Sequence, residues 1–599
     1  MGGAVLLGAL LLYLVTLDNG LTPGELQGGD LITHHHAQGE LRLANAPGYP
    51  LYTLLGWAWF QIGRLILSPL LNPIEILSLF STIWGLGALL VFYLLLLEVT
   101  DGNWIISGSC ALFYATTYFF WYYTVTSEEY ATGVLQTLLL ILLAYRWARS
   151  GEDNYLLGIA LLVGLALANL VTVLLALPAF LLFILRLQPS ILRRRDLQAK
   201  SALLIFLPLL SYTYVYLQGK WHPEWRGTGE WPSTGAWFLH FLSTSQGRSE
   251  LTWTLGGIPS EVPRIIVAEL TLPVFLLGVG GIALLGRRRG GLLYGVLLSY
   301  ALFTYIDRFG NWFQVVMPVY PLIVLGLAVL AHRLFRPSPN WARGLLTLTL
   351  ALFVASRLVV NFPGANQRDK PQDTGLDPGW AILKDGPPSG AIIGGRYEEI
   401  LALEYLKGVW REGQDVEIME PERFREAFYK EKEQLFLTRE GANLVLPYLD
   451  AFPPLSSGGL TLIRVGREPN FILPAISHPL HADYGGKLRL LGYDLLPSEK
   501  GTHLTLYWQA LEEMETDYSI SVRPTQGGEL IFIGGELFQE DHAHPVWGWH
   551  PTSRWLPGEV VRDDYLIPEQ PAYDGLVVLV YWRANGGFEN LGAANFPLE

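Results

Sequence analysis

The chain has 599 residues, of which 51% are hydrophobic and only 16% are charged, and this composition excludes an ordinary soluble enzyme. Its net charge of −13 comes from residues 360–599, where 36 acidic side chains face 20 basic ones. Such an acidic part repels phosphate backbones, so we expect no nucleic-acid partner. The single cysteine, Cys110, excludes a disulfide framework and a thiolate metal site.

Apolar runs of about the length of a membrane helix recur over the first 360 residues. A bilayer core needs about 20 apolar residues in one helix, because every backbone amide in lipid must be bonded internally. We predict about eleven transmembrane helices. They lie near residues 3–17, 74–98, 104–122, 130–146, 155–168, 171–186, 201–218, 265–286, 291–306, 313–333 and 342–359. The run at 50–69 carries Trp57, Trp59 and Arg64, which favour a helix lying in the outer interface.

Basic residues predict the orientation of these helices, since they concentrate in cytoplasmic loops. Four alternate loops carry them, and with the predicted spans all four fall on one side. These loops hold Arg146, Arg149, Arg193, Arg194, Arg195, Arg287, Arg288, Arg289, Arg333, Arg336 and Arg343. The first outer loop, 18–73, and everything after residue 360 are then predicted to be extracytoplasmic.

The pattern after residue 360 is that of soluble structure. From 361 to 468, short apolar runs such as "AIIGG" and "LFLT" alternate with helical stretches, which predicts a small α/β domain. From 469 to 599, alternating strands such as "THLTLYWQAL" and "GLVVLVYW" predict a β-sandwich. The predicted fold is therefore a polytopic α-helical membrane domain, residues 1–360, followed by extracytoplasmic α/β and β-sandwich domains.

Two acidic residues of the first outer loop, Glu25 and Asp30, are candidates for chemistry. Charged loop residues are usually only hydrated, but a carboxylate held near a bilayer is partly desolvated and can act as a general base. The three consecutive histidines at 34–36 are candidate metal ligands. Three consecutive helical residues point about 100° apart and cannot all face one ion. We therefore expect a hydrogen-bonding or interfacial role for the triplet, with His34 one turn from Asp30.

The run "GGDLITHHHAQ" followed by "NAPGYPLYTLLG" resembles the N-terminal signature of the membrane family related to protein O-mannosyltransferases, in the GT-C glycosyltransferase superfamily. In that family an Asp-Ser-Gly-Glu-Leu motif precedes a His-Pro-Pro-Gly-Tyr-Pro-Leu-Tyr motif. Asp30 falls on the glutamate of the first motif, and residues 47–52 match the end of the second. The family's His-Pro is Asn45-Ala46 here. The aspartate of the first motif is also missing, so either Glu25 substitutes for it or the site has lost it.

Other outer loops extend the resemblance to the first 360 residues. The stretches involved are "TSEEYATG", "TGAWFLHFLSTSQGR" and "IDRFGNWFQVVMPVYPLI". The positions that fall on the family's patterns are Glu128, His240, Gln246, Arg248, Asp307, Pro318 and Tyr320.

The resemblance implies a GT-C-like fold and inverting transfer of a sugar from a polyprenyl-phosphate carrier to a protein or glycan acceptor at the extracytoplasmic face. A carboxylate would deprotonate the attacking hydroxyl, and arginine forks would bind the phosphate. The expected catalytic residues are Asp30, with Glu25 and Glu128 in support. The expected substrate-binding residues are Tyr49, Tyr52, Arg226, His240, Arg248, Asp307 and Arg308. A divalent metal cofactor is left open, with no residue predicted to ligate it, and membrane lipid is a further expected partner.

The C-terminal part resembles, through "LGYDL" and "WLPGE", a β-sandwich appended to membrane glycosyltransferases of some bacteria, which implies the bacterial cytoplasmic membrane. Its Trp547, Trp549 and Trp555 lie among three histidines. They could stack on sugars, but we favour inward packing because tryptophan buries a large area readily.

The altered motifs leave a second hypothesis open, a non-catalytic membrane scaffold or assembly subunit with a degenerate transferase core. A transporter or flippase is disfavoured, because charges within the spans are scarce.

Overall fold

The computed structural model describes residues 2–243, 251–430, 432–498, 500–584 and 586–598. The chain divides into two compact units, Met1–Thr374 and Gly375–Glu599. The domain boundary predicted at residue 360 falls inside a helix, Asn340–Ala365, and the division lies after the short segment that follows this helix.

The first unit is helical. Its α-helices are Gly2–Val15, Pro23–Gln27, Asp30–Glu40, Pro50–Leu67, Pro73–Val99, Trp104–Ala115, Tyr118–Val125, Tyr130–Ser150, Asp153–Leu167, Leu177–Leu187, Arg195–Leu209, Tyr212–Trp221, Thr234–Leu242, Glu261–Leu270, Leu272–Ile282, Gly286–Ile306, Trp312–Val315, Val319–Phe335 and Asn340–Ala365. Short 3₁₀ turns lie at Val171–Ala176, Pro189–Arg193, Pro223–Arg226 and Ala283–Leu285.

Each of the eleven predicted spans coincides with helical structure, but several are interrupted. In the described part of the chain, four helices are long and apolar enough to cross a membrane: Pro73–Val99, Tyr130–Ser150, Arg195–Trp221 and Asn340–Ala365. A fifth crossing results if Glu261–Leu270 and Leu272–Ile306, bent by 83°, form one span. The count of eleven therefore stays a prediction.

Two helices pack closely where each has a glycine, which lacks a side chain, at the contact. Gly281 and Gly326 lie on the facing helices Leu272–Ile282 and Val319–Phe335, and a Cβ atom on either would overlap a carbonyl oxygen of the other helix. The Tyr294 hydroxyl of the helix Gly286–Ile306 donates to the Val279 carbonyl of the helix Leu272–Ile282 at 2.6 Å, so the two helices are in contact at this point.

The second unit begins with a mixed five-stranded sheet. Its strands, in spatial order, are Glu417–Met419, Ile392–Gly394, Leu435–Thr438, Leu462–Val465 and Leu455–Ser457. The first three strands pair in parallel. The fourth strand pairs antiparallel with both the third and the fifth. The associated α-helices are Asp377–Lys384, Tyr397–Tyr405, Pro421–Tyr429 and Arg439–Val445. This arrangement agrees with the predicted small α/β domain.

Two antiparallel sheets follow. One contains Val560–Ile567, Gly501–Ala510, Leu488–Ser498 and His478–Tyr484 in that order, and the other contains Glu529–Leu530, Ser519–Gln526, Gly575–Ala584 and Gly587–Pro597, with Glu540–His542 also paired to Ser519–Gln526. A small hairpin joins Phe532–Ile533 to Glu536–Leu537. One apolar core runs from the α/β part into both sheets. Trp555 is 1% exposed within this core, in agreement with inward packing.

Candidate active site

Asp30 begins the Asp30–Glu40 helix. The preceding Gly29 has φ +118, a left-handed conformation that favours glycine, and this turn places the carboxylate in the first helical turn, where the helix dipole stabilises negative charge. Oδ1 of Asp30 accepts a hydrogen bond from the Asn45 side-chain amide at 2.7 Å, and Oδ2 accepts one from the Tyr130 hydroxyl at 3.0 Å. The side chain is held from two other segments yet stays partly exposed.

The 47–52 motif forms a tight turn beside this helix. The amide of Gly48 donates to the Asn45 carbonyl at 2.6 Å, and Tyr49 has φ +39, a left-handed conformation rare for a non-glycine residue. Pro50 then begins the next helix. Such a conformation persists only where surrounding contacts impose it. The turn therefore fixes Asn45, which in turn holds Asp30.

Two tyrosines of the motif pack on His34. The ring centroids of Tyr49 and Tyr52 lie 5.4 Å and 5.1 Å from that of His34, both in edge-on geometry. Tyr52 is 2% exposed, and its hydroxyl lies 2.7 Å from Oγ of Ser81. Of the two tyrosines expected to bind substrate, Tyr52 is thus engaged in packing, whereas Tyr49 keeps some exposed surface.

A buried ion pair lies one helical turn from Asp30. Nε2 of His34 lies 2.7 Å from Oε2 of Glu129, and both side chains are at most 1% exposed. Burial alone would lower the pKa of His34, but the Glu129 carboxylate raises it above its ordinary value. Glu129 was not among the predicted site residues. The two adjacent acidic residues at 128–129 indicate that a carboxylate lies in this turn, but the sequence does not reveal which of them contacts His34.

The three histidines of the triplet face different partners. His34 pairs with Glu129, Nδ1 of His36 lies 2.7 Å from Oε1 of Glu40, and His35 is buried, which lowers its pKa to about 3. They do not converge on one ion, as their helical spacing predicts. Throughout the described residues, no three His, Cys, Asp or Glu side chains are grouped to hold a metal.

The two supporting acids differ in environment. Glu128 is buried, and burial, together with the charges of Glu129 and Asp30, raises its pKa well above the ordinary value. Glu25 closes a capping box, in which its Oε2 accepts from the amide and the hydroxyl of Thr22 at 2.7 Å and 2.8 Å. Glu128 is therefore electrostatically coupled to Asp30, and Glu25 stabilises the start of its own short helix.

A cavity of about 320 Å³ opens beside Asn45. Its walls are residues 43–46 and 225–228 together with Trp231, Trp237, His240 and Phe241. The indole N–H of Trp231 makes no hydrogen bond to any residue that the structure describes. Aromatic walls with a few polar groups, at this volume, are typical of small-molecule sites. The predicted residues His240 and Arg226 thus lie in one cavity, which Asn45 joins to Asp30.

The guanidinium of Arg226 is anchored to the protein. Its Nε donates to the Gly219 carbonyl at 2.6 Å and its Nη2 to the Thr234 hydroxyl at 2.9 Å, with the Trp237 ring 5.8 Å away. This places one cationic group rigidly in the cavity wall.

An apolar groove of about 560 Å³ lies between the helices Glu261–Leu270, Leu272–Ile282, Gly286–Ile306 and Val319–Phe335. The segment leading into the last of these contains Gln314, whose Oε1 is 2.9 Å from the Tyr130 hydroxyl. Because the same hydroxyl contacts Asp30, a short chain of contacts joins the carboxylate to the segment that borders the groove.

Asp307 and Arg308 follow Tyr305, which lines this groove, and both are at most 5% exposed. Arg308 donates from Nη1 to the Tyr305 carbonyl at 2.8 Å and from Nη2 to the Thr254 carbonyl at 2.9 Å, with its guanidinium over the rings of Tyr305 and Phe309. The guanidinium of Arg308 therefore binds main-chain carbonyl groups in this structure. The remaining predicted residue, Arg248, lies outside the described residues.

Comparisons with known proteins identify similar sequences and folds. Residues 29–191 match the family model of the protein O-mannosyl-transferase TMEM260 N-terminal domain. Protein O-mannosyl-transferase TMEM260 of Mus musculus is 26% identical over 434 residues, which cover 65% of this chain and 58% of the mouse protein. The chain thus spans less than two thirds of that relative's length.

Two structures of ArnT from Cupriavidus metallidurans share the fold. The form bound to undecaprenyl phosphate superposes with a TM-score of 0.50 at 13% identity, covering 79% of this chain and 99% of ArnT. The apo form gives 0.51 at 14% identity, covering 77% and 97%. Together with the long apolar helices, this shared fold makes the chain an integral membrane protein. The resemblance inferred from the sequence is confirmed: residues 29–191 match the N-terminal domain of protein O-mannosyl-transferase TMEM260, and the chain is similar in sequence to that protein.

Proposed function

We propose that the chain transfers a sugar from a polyprenyl-phosphate carrier to a hydroxyl of a protein or glycan acceptor, with inversion at the anomeric carbon and with Asp30 as general base. The proposal rests on one observation above all. Asp30 is held by Asn45 at the edge of an aromatic cavity of about 320 Å³ while part of its carboxylate stays exposed.

The reaction requires a base that is oriented but not blocked. Each carboxylate oxygen can accept two hydrogen bonds, and Asp30 uses one position on each oxygen for Asn45 and Tyr130. The remaining positions are open to the proton of an acceptor hydroxyl. As the proton moves to Asp30, the hydroxyl oxygen bonds to the anomeric carbon and the carrier phosphate leaves with the bonding electrons.

The two halves of the donor have complementary surroundings. The cavity offers aromatic faces for a sugar ring and the anchored guanidinium of Arg226 for an anionic phosphate. The apolar groove of about 560 Å³ would take the first isoprene units of the carrier. ArnT, whose fold this chain shares, has been crystallised with undecaprenyl phosphate, which supports a carrier of that class. We place the site at the extracytoplasmic face of a bacterial cytoplasmic membrane, as the distribution of basic loops predicts.

A non-catalytic scaffold remains the second candidate, and one observation favours it. Both described arginines expected to bind phosphate already donate to protein groups: Arg226 to Gly219 and Thr234, and Arg308 to Tyr305 and Thr254. A scaffold would show no sugar transfer by the wild-type chain with any polyprenyl-phosphate sugar.

The test is Asp30→Asn in the full chain, reconstituted with polyprenyl-phosphate-linked sugars, with transfer to acceptor measured by mass spectrometry. We expect a loss of about 100-fold or more, the contribution of a general base. Glu40→Gln is the matched control, since it makes the same carboxylate-to-amide change at the other end of the same helix. Unchanged turnover in Asp30→Asn would refute the assignment.

A further inference from the structure

A second, polar cavity of about 700 Å³ lies at a different end of the helical unit. The helix Tyr130–Ser150 begins at Tyr130, which contacts Asp30, and about 22 Å along it, at 1.5 Å per residue, Tyr145 lies against Arg289 of this cavity. The cavity is therefore separate from the candidate active site.

Cationic side chains dominate its lining. Arg289, Arg333 and Arg336 line it together with His332, and Asp101 is the acidic residue among the lining residues. Nε2 of His332 lies 3.4 Å from the Asp101 carboxylate, and Nδ1 of the same ring is buried with no hydrogen-bond partner among the described residues.

Two of the arginines are oriented by the fold. Arg289 lies 5.1 Å from the Tyr145 ring centre, and its Nη2 is 3.4 Å from Glu98. Arg333 donates from Nη2 to the Leu284 carbonyl at 2.8 Å. With Glu98 counted beside Asp101, three arginines face two carboxylates, so the arginines and carboxylates together leave an excess of positive charge.

The remaining walls are apolar, formed by Val99, Leu284, Leu285 and Val329. Val99 ends the helix Pro73–Val99, Leu284 and Leu285 form part of the 3₁₀ turn Ala283–Leu285, and Val329 lies in the helix Val319–Phe335. A cavity lined by both cationic and apolar side chains matches a phosphate headgroup with the beginning of its acyl chains.

We propose that this basic cavity, defined by Arg289, His332, Arg333 and Arg336, binds a phosphate-bearing group, which in the membrane is the headgroup of an anionic phospholipid. The bidentate fork of arginine suits phosphate oxygens, and the unpaired Nδ1 of His332 supplies a further polar contact. The site is independent of the proposed sugar transfer.

The experiment uses the full chain purified in detergent, with binding of short-chain phosphatidylglycerol measured by native mass spectrometry and phosphatidylcholine as the zwitterionic comparison. We expect preferential binding of phosphatidylglycerol, weakened about 30-fold in the double variant Arg289→Gln/Arg333→Gln. Arg287→Gln/Arg288→Gln is the matched control. It removes the same number of charges from positions next to Arg289 without changing the cavity lining, and it should bind as the wild type does.

Arg336→Gln guards against a folding defect, because this side chain is 78% exposed and its loss leaves the helix packing intact. It should also weaken phosphatidylglycerol binding. Inorganic phosphate in a separate arm distinguishes the sources. If millimolar inorganic phosphate alone competes with the lipid, the cavity binds phosphate, and its ligand is a soluble phosphate compound. Equal binding of both lipids together with no effect of phosphate, or equal loss in the control double variant, would overturn the proposal.

Discussion

Breaking the buried His34–Glu129 pair should destabilise the helix that carries Asp30. The two side chains are at most 1% exposed and their nearest atoms lie 2.7 Å apart, so removing one partner leaves an uncompensated charge in a dry environment. Such losses cost about 3–5 kcal/mol of unfolding free energy. We expect His34→Gln and Glu129→Gln each to lie in this range. The double variant should cost no more than either single one, because two neutral amides replace the charged pair.

The coupling energy of this double-mutant cycle should therefore be at least about 3 kcal/mol. Reversible unfolding of the full chain in mixed detergent micelles measures it. The pair His36–Glu40 on the same helix is a matched control, with the same 2.7 Å distance but side chains 20% and 22% exposed. Its cycle should give at most about 1 kcal/mol. Equal coupling energies in the two cycles would refute the reasoning. So would single substitutions at the buried pair that each lower the unfolding free energy by less than about 1 kcal/mol.

Three further outcomes follow from individual contacts. Tyr130→Phe removes a hydroxyl 3.0 Å from Asp30 and should lower the rate of sugar transfer about tenfold without unfolding the protein. Tyr145→Phe on the same helix should leave that rate unchanged. Equal rates in the two variants would contradict this expectation. The raised pKa of Glu128 means that its stabilising protonated form is lost as pH rises through the folded pKa. Thermal stability should then fall with rising pH, and less so in Glu128→Gln. Asp563→Asn in the β-sandwich replaces an acceptor of bonds from Val546 and Tyr565 and should cost about 1–3 kcal/mol, measured by thermal unfolding; an unchanged midpoint would exclude this role.

Periodicity and turn chemistry predicted much of the architecture. The apolar runs became helices, the "AIIGG" and "LFLT" runs became neighbouring strands, and the 47–52 motif became the turn that fixes Asn45. These features depend on local residue patterns. The helix interruptions near Thr116 and Leu210 were missed, because a break inside an apolar run leaves the hydrophobicity unchanged.

Long-range contacts explain what the sequence left open in the site. Glu128 and Glu129 are adjacent and chemically alike, and only the position of His34, 95 residues away, decides which of them forms the ion pair. Arg226 and Arg308 looked available for phosphate. The guanidinium of Arg308 instead meets the Thr254 carbonyl, 54 residues away, and that of Arg226 meets the carbonyl of Gly219 in the preceding helix. No local pattern specifies such partners.

The contrast between Asp30 and Glu128 is itself an argument for the choice of base. Burial and two neighbouring carboxylates favour the protonated form of Glu128, and a protonated acid has no capacity to accept a proton from an acceptor hydroxyl. Asp30 instead receives hydrogen bonds from Asn45 and Tyr130 at the start of its helix, and it is partly exposed. The ion pair of Glu129 with His34 neutralises the third acid. Of the acids clustered at residues 30, 128 and 129, Asp30 alone is partly exposed and not in an ion pair, which is why we propose it as the general base.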